Sequence, residues 1–188
     1  MNAIHSIKGF RFGKLILTLI DDTNVDMLHE YLLKIDESDY FINELHNSYM
    51  PKFDVQKRRI KYGFYTTIEN TIVGFSLLGI SSWEHFRGYT GADTILQMRG
   101  QNIAPLSKPP LFYLAFELLK LQRVEAGCVV SNVSSQKSIE KTKGFKFEGV
   151  LRDYCRRSDG SYEDELRYSI VINDWFKLYD KSSIEVIT

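Results

Sequence analysis

The chain is poor in cysteine: two, Cys128 and Cys155, in 188 residues. Two thiols cannot build the disulfide framework of a small secreted domain, and nothing near Met1 has the charged-then-apolar pattern of a secretory signal. A reduced, cytoplasmic protein is therefore expected. Net charge is also lacking. The 24 Lys and Arg balance the 24 Asp and Glu, which removes any global attraction to nucleic acid or to an acidic membrane. The longest apolar runs are far too short to span a bilayer, so no membrane association is expected. Histidine is scarce and scattered: His5, His29, His46 and His85 have neither HxxxH nor HxH spacing and no cysteine pair nearby. No metal site is expected from such a distribution. Proline is scarce too, yet three of the four fall within six residues, at Pro105, Pro109 and Pro110. Internal repeats and low-complexity segments are missing.

What is present is ordinary for a globular chain: 44% hydrophobic and 26% charged residues, in a length that suits one domain over 1–188. "KLILTLI" (Lys14 to Ile20) is dense in β-formers and predicts a strand. Val25, Leu28, Leu32 and Ile35 then recur at helical spacing, after Thr23 or Asn24 as N-cap. Further helical segments are predicted over 39–49 and 54–62, the latter carrying the basic run "QKRRIK" on a solvated face. After that the period changes to two. "YGFYTTI" and "TIVGFSLLGI" flank "EN" as a tight hairpin, and "ADTILQM" reads as a third strand.

Next comes "RGQNIAPLSKPP", followed by "LFYLAFELLKL" with Leu111, Leu114, Ala115, Leu118 and Leu119 on one helical face. "RVEAGCVV" predicts a buried strand and "SSQKSIEKTKG" a short helix stopped by Gly144. "FEGVLRDYCRR" and "YEDELRYSIVI" form a last hairpin around "SDG". The alternation predicts a mixed α/β sheet covered by helices. The prolines bear on where the helix after the loop begins. Pro105 suits the first helical position, whereas Pro109 and Pro110 would interrupt a helix already under way. Either the first turn is irregular or the helix starts late, with Ser107 as its N-cap; the late start is the expectation.

Four pieces in this order carry a resemblance: a strand running into "RGQNIA", an amphipathic helix, a strand ending in "VVSN", and "SSQKSIEKTKGFKFEGVLRDY". The sequence resembles the GNAT superfamily of acyl-CoA N-acyltransferases, in the branch with ribosomal-protein and spermidine N-acetyltransferases. The loop pattern Q/R-x-x-G-x-G/A is met by Arg99, Gly100, Gln101, Asn102, Ile103 and Ala104 except at Asn102. Asn132, Ser135, Gly144, Phe145, Glu148 and Gly149 match a second block, and Gly160, Tyr162, Asp164 and Tyr168 a third. A nucleotide P-loop fits less well, because no Lys-Ser/Thr follows the loop.

The resemblance implies a GNAT-like fold: a mostly antiparallel sheet of about seven strands with helices on both faces, splayed between strands ending near Met98 and Asn132. It implies an N-acetyltransferase moving acetyl from acetyl-CoA to a primary amine by direct attack through a tetrahedral intermediate, with no metal. The amides of Gln101, Asn102, Ile103 and Ala104 would cradle the pyrophosphate of coenzyme A at a helix N-terminus. Leu96, Gln97 and Met98 would lie along the thioester and pantetheine, with Arg99, Gly100, Asn132, Ser135 and Ser138 completing the cofactor set. One residue more than usual separates Ser135 from Gly144.

Asp93 stands where relatives often carry a basic glutamate, and Ser135 matches a serine some relatives use near the thiol. Both are catalytic candidates, set against a strand-end hydrogen bond for Asp93 and a helix cap for Ser135. The tyrosine acid of many relatives is replaced by Ile139 and Glu140. Glu84, His85 and Tyr154 are candidates for the acceptor cleft, and Glu125 for a paired structural carboxylate. The acceptor is expected to be a small-molecule amine or a protein N-terminus, and the chain a monomer or homodimer. Transfer of a larger acyl group, an amino-sugar or antibiotic acceptor, and an acyl-CoA-binding domain without turnover are the alternatives.

Overall fold

The computed structural model describes residues 6–34, 45–54, 56 and 58–188. Its strands are β1 (Gly9–Phe12), β2 (Leu15–Leu19), β3 (Lys52–Phe53), β4 (Arg59–Ile68), β5 (Thr71–Ser82), β6 (Arg87–Thr94), β7 (Arg123–Val129), β8 (Lys146–Arg156), β9 (Tyr162–Val171) and β10 (Ile184–Ile187). Its helices are α1 (Val25–Lys34), α2 (Ile103–Leu106), α3 (Lys108–Tyr113), α4 (Val133–Lys141) and α5 (Ile172–Leu178). The sheet runs β10-β1-β2-β4-β5-β6-β7-β9-β8, with β3 beside β4. Every ladder is antiparallel except β6 with β7.

β5 is buried along most of its length because both faces are covered. Leu78 and Ile80 join Leu111, Phe112, Leu114 and Trp175 on one face. Phe75 and Leu77 join Val25, Leu28 and Leu32 of α1 on the other. The turn before β5 is the tight one expected. Glu69 and Asn70 both have positive φ, 50° and 65°, which suits a two-residue hairpin loop.

The sheet has ten strands among the described residues, against about seven expected. β1, β3 and β10 are two to four residues long, too short to show a period, and form only because a neighbour offers a ladder. The helix expected over 54–62 is corrected outright. The Asp54 carboxylate accepts from the backbone N–H groups of Gln56 and Arg58 at 2.9 and 2.8 Å, closing a turn, and β4 begins at Arg59. The basic run is not a helix face: Arg59 lies over the Tyr62 ring at 4.9 Å and Lys61 is buried. Of the segment expected over 39–49, residues 39–44 lie outside the described residues, as does Ile35. Leu45–Tyr49 is one wide helical turn.

"ADTILQM" is a strand only to Thr94. The buried Ile95 gives its N–H to the Val73 carbonyl at 3.2 Å, and Leu96–Met98 then forms a 3₁₀ turn. The helix after the loop forms in two pieces: α3 starts late, after Ser107 and with Pro109 and Pro110 in its first turn, but the short α2 precedes it. Leu106 and Ser107 already donate to the carbonyls of Asn102 and Ile103, at 3.1 and 2.9 Å. Ser107 has helical φ and ψ of −78° and −12°, so it joins α2 to α3 instead of capping a new helix. Pro105 is the third helical residue, where its missing N–H still costs nothing. Pro109 and Pro110 interrupt the backbone ladder at the α2–α3 junction, and the Ser107 hydroxyl donates to the Ala104 carbonyl at 2.9 Å there.

Gly63 fixes where Leu45–Tyr49 sits. A Cβ there would stand 1.9 Å from the Tyr49 carbonyl oxygen, a backbone atom that cannot swing away. Gly63→Ala should therefore cost about 1–3 kcal/mol, read as a lower denaturant midpoint at unchanged slope.

Candidate active site

β6 and β7 share three register pairs, Arg87 with Arg123, Gly88 with Val124 and Tyr89 with Glu125. Beyond Tyr89, β6 pairs only with β5 and β7 only with β9. A cleft of about 490 Å³ opens past that parting. Its walls are Ala92, Asp93 and Thr94 from β6, Met98 to Gly100 and Asn102 to Pro105 of the loop and α2, and Asn132, Ser134, Ser135, Lys137, Ser138 and Lys141 at α4.

The loop turns on two left-handed residues, Gly100 at φ 79° and Asn102 at φ 59°. Asparagine is among the non-glycine residues that adopt this region most readily. The Asn102 side chain is engaged by α4: its Oδ1 accepts from Lys141 Nζ at 3.1 Å. Among the described residues no side chain caps the start of α2, whose first residues, Ile103 and Ala104, line the cleft. Among the described residues, three cations, Arg99, Lys137 and Lys141, line the cleft against one carboxylate, Asp93, a balance that would suit an anionic group.

No family model matches the chain, and no curated protein matches it. Solved structures do. The dodecameric spermidine N-acetyltransferase from Vibrio cholerae superposes at TM-score 0.65 and 17% identity, over 89% of this chain and 99% of that one. The ribosomal-protein-S5-alanine acetyltransferase from Vibrio fischeri superposes at TM-score 0.66 and 19% identity, over 89% and 98%. The chain has the GNAT acyltransferase fold.

On the GNAT fold the predicted site residues divide by position. Asp93, Met98, Arg99, Gly100, Asn102, Ile103, Ala104, Asn132, Ser135 and Ser138 come together around the cleft. Leu96 and Gln97 are exposed on the 3₁₀ turn, and Gln101 is exposed with its amide directed at Met98 Sδ, 3.6 Å away. Glu84 and His85 occupy the exposed turn between β5 and β6, the length of β6 or about 20 Å from Asp93. Tyr154 is exposed on β8 with the Arg167 guanidinium over its ring at 4.9 Å. None of these three lines the cleft. Glu125 accepts from Arg123 Nε at 2.8 Å, a paired carboxylate as expected.

The caps fall differently from expectation. Asn132 Oδ1 accepts from the Ser135 N–H at 3.0 Å, so Asn132 is the N-cap of α4. The Ser135 side chain lines the cleft, near the buried Cys128 thiol. Burial pushes that thiol up, and the neighbouring Ser135 hydroxyl pulls the other way.

Around Asp93 the structure adds partners that sequence reasoning missed. Asp93 Oδ2 accepts from the Tyr49 hydroxyl at 2.6 Å, and Tyr49 is buried. Lys108 of α3 is buried as well and donates to Thr90 Oγ1 at 3.1 Å. Burial pushes its amine down to about 7, with the charge of Asp93 acting in the opposite direction. Lys137 and Lys141 were legible in principle, since i,i+4 spacing puts them on one face of α4. Lys108 carried no signal, being one more lysine among the prolines, and Tyr49 lies 44 positions from Asp93.

The Lys108 amine is held near 7 in the folded chain against an ordinary 10.5. Between those values the unfolded chain binds more protons, so this group makes stability rise with pH across the window and fall as pH drops toward 7. Lys108→Met removes that slope. In guanidinium titrations at pH 7, 8 and 9, the variant's stability relative to wild type should be greatest at pH 7 and shrink as pH rises.

Proposed function

We propose that the chain is an acyl-CoA-dependent N-acetyltransferase that acetylates a primary amine. The observation that carries this reading is the cleft between the parted strands, cationic at the loop and α4 and carboxylate-bearing on β6. The residues present fit acetyl-CoA. The uncapped amides of Ile103 and Ala104, with Arg99, Lys137 and Lys141, suit its phosphates. The unpaired inner edges of β6 and β7 suit an extended amide-bearing arm. When bound, acetyl-CoA supplies an activated thioester carbonyl.

The remaining chemistry falls to the chain's own residues. Asp93, oriented by Tyr49, holds the incoming ammonium and takes its proton, directly or through water. Ser135 stands on the opposite wall, where its hydroxyl can serve the leaving thiol. The acceptor is a primary amine. The two solved neighbours are named for spermidine and for the alanine of ribosomal protein S5, and both present an amine.

Calorimetry with acetyl-CoA and with CoA tests the reading, followed by thiol release over a panel of polyamines and N-terminal peptides. Both ligands should bind, and Lys141→Ala should weaken binding about three- to tenfold, as loss of one charge-assisted contact does. Asp93→Asn should lower kcat at least about 100-fold with CoA affinity kept. Absence of CoA binding would refute the proposal. Binding without turnover across the panel would assign an acyl-CoA-binding role in its place.

A further inference from the structure

A buried lysine in an apolar layer needs a reason. Lys108 is 5% exposed, among Pro109, Pro110, Leu111 and Phe112, all buried. A leucine or methionine would fill such a position without the cost of desolvating an ammonium. Its hydrogen bond goes to Thr90, the first residue of β6 past the register with β7. The Thr90 hydroxyl is itself committed, donating to the Leu77 carbonyl at 2.7 Å, so it can only accept from Lys108. The amine is therefore anchored on β6 where the cleft opens, three residues before Asp93.

Among the described residues the charges around Lys108 are few. β5 carries no ionisable side chain. On β6, Arg87 and Tyr89 are exposed, and Asp93 is the group whose charge acts on Lys108. α4, which packs against α2, contributes Lys137, Glu140 and Lys141, all exposed. β1 and β10, which pack against α3, carry Arg11 and Glu185, paired with each other at 3.2 Å on the surface.

We propose that Lys108 is a positioning residue for the transfer: anchored on Thr90 behind β6, it supplies the positive charge that balances the Asp93 carboxylate on the cleft wall. This rests on the transferase reading. In the proton step, an N–H bond of the acceptor ammonium breaks and an O–H bond forms on Asp93, leaving the nitrogen lone pair free to attack. Once Asp93 is neutral, the buried Lys108 has lost the opposite charge that acts on it, and release of the proton to water restores that charge.

Two measurements test it. The first follows the Lys108 side-chain resonance of ¹³C,¹⁵N-lysine-labelled, ligand-free protein against pH, assigned through its backbone amide so that no lysine variant is needed. The midpoint should lie near neutrality and move to lower pH in Asp93→Asn, since Asp93 acts to raise it. A midpoint in the ordinary lysine range, or one indifferent to Asp93→Asn, overturns the proposal. The second compares kcat/KM of wild type and Lys108→Met across pH. Below neutrality, where the wild-type amine is charged, the variant should be about tenfold slower, and the two should converge above pH 8.5, where the amine is neutral. A ratio constant with pH is what a purely structural role would produce, and it too overturns the proposal. CoA affinity separates the two readings. Wild type that fails to bind CoA refutes the transferase reading and this role with it; normal CoA binding with a flat ratio refutes the role of Lys108 alone.

Discussion

The parting of β6 from β7 after Tyr89 is the constraint on which the rest of the site depends. Two parallel strands in mid-sheet would ordinarily continue their ladder and leave no room for a ligand. Here each strand stays rigid through its outer neighbour, β5 on one side and β9 on the other, so the gap is held open by paired backbone. The chain leaving β6 turns sharply at the buried Ile95 and delivers the loop to one mouth of the gap. The chain leaving β7 delivers Asn132 and α4 to the facing wall. Neither wall is an independent binding module, and both are consequences of where the ladder stops.

Electrostatics are distributed along the gap in the same way. The outer part collects Arg99, Lys137 and Lys141 around a loop that turns on two left-handed residues. Asp93 sits further along β6, held by a tyrosine from the opposite face of the sheet. That hold needs Tyr49 close to β4, which in turn needs Gly63 to lack a side chain. Lys108 approaches the same stretch of β6 from the helical layer. The stretch of β6 at the cleft is thus tied to both layers of the protein, through Asp93 on one side and Thr90 on the other.

Much of this was legible in the sequence, and what was not has identifiable causes. The hairpin at Glu69 and Asn70, the strands at β7, β8 and β9, and the amphipathic face of Leu111, Leu114 and Ala115 announce themselves through period and turn chemistry. The left-handed Asn102 followed from the tolerance of asparagine for that region. The segment 54–62 misled because a dense run of lysine and arginine looks like a solvated helix. In fact Arg59 stacks on Tyr62 and Lys61 is buried against a backbone carbonyl, that of Asn47, at 3.3 Å. The cap of α4 went to Asn132 and not Ser135, a choice between two adequate acceptors that only backbone geometry makes. Glu84, His85 and Tyr154 were chosen for residue type, and chain direction carries them away from the cleft.

The sequence by itself determined the alternation of strands and helices, the glycine- and asparagine-bearing loop and the helix behind it. Those properties are local, written in residues within one or two turns of each other. The tertiary structure alone decided which groups meet across long separations: Tyr49 with Asp93, Lys108 with Thr90, Lys141 with Asn102. No periodicity encodes such pairs, because each depends on sheet order and on the place where one ladder ends. For the same reason a lysine that looked like any other became a buried charge beside the site.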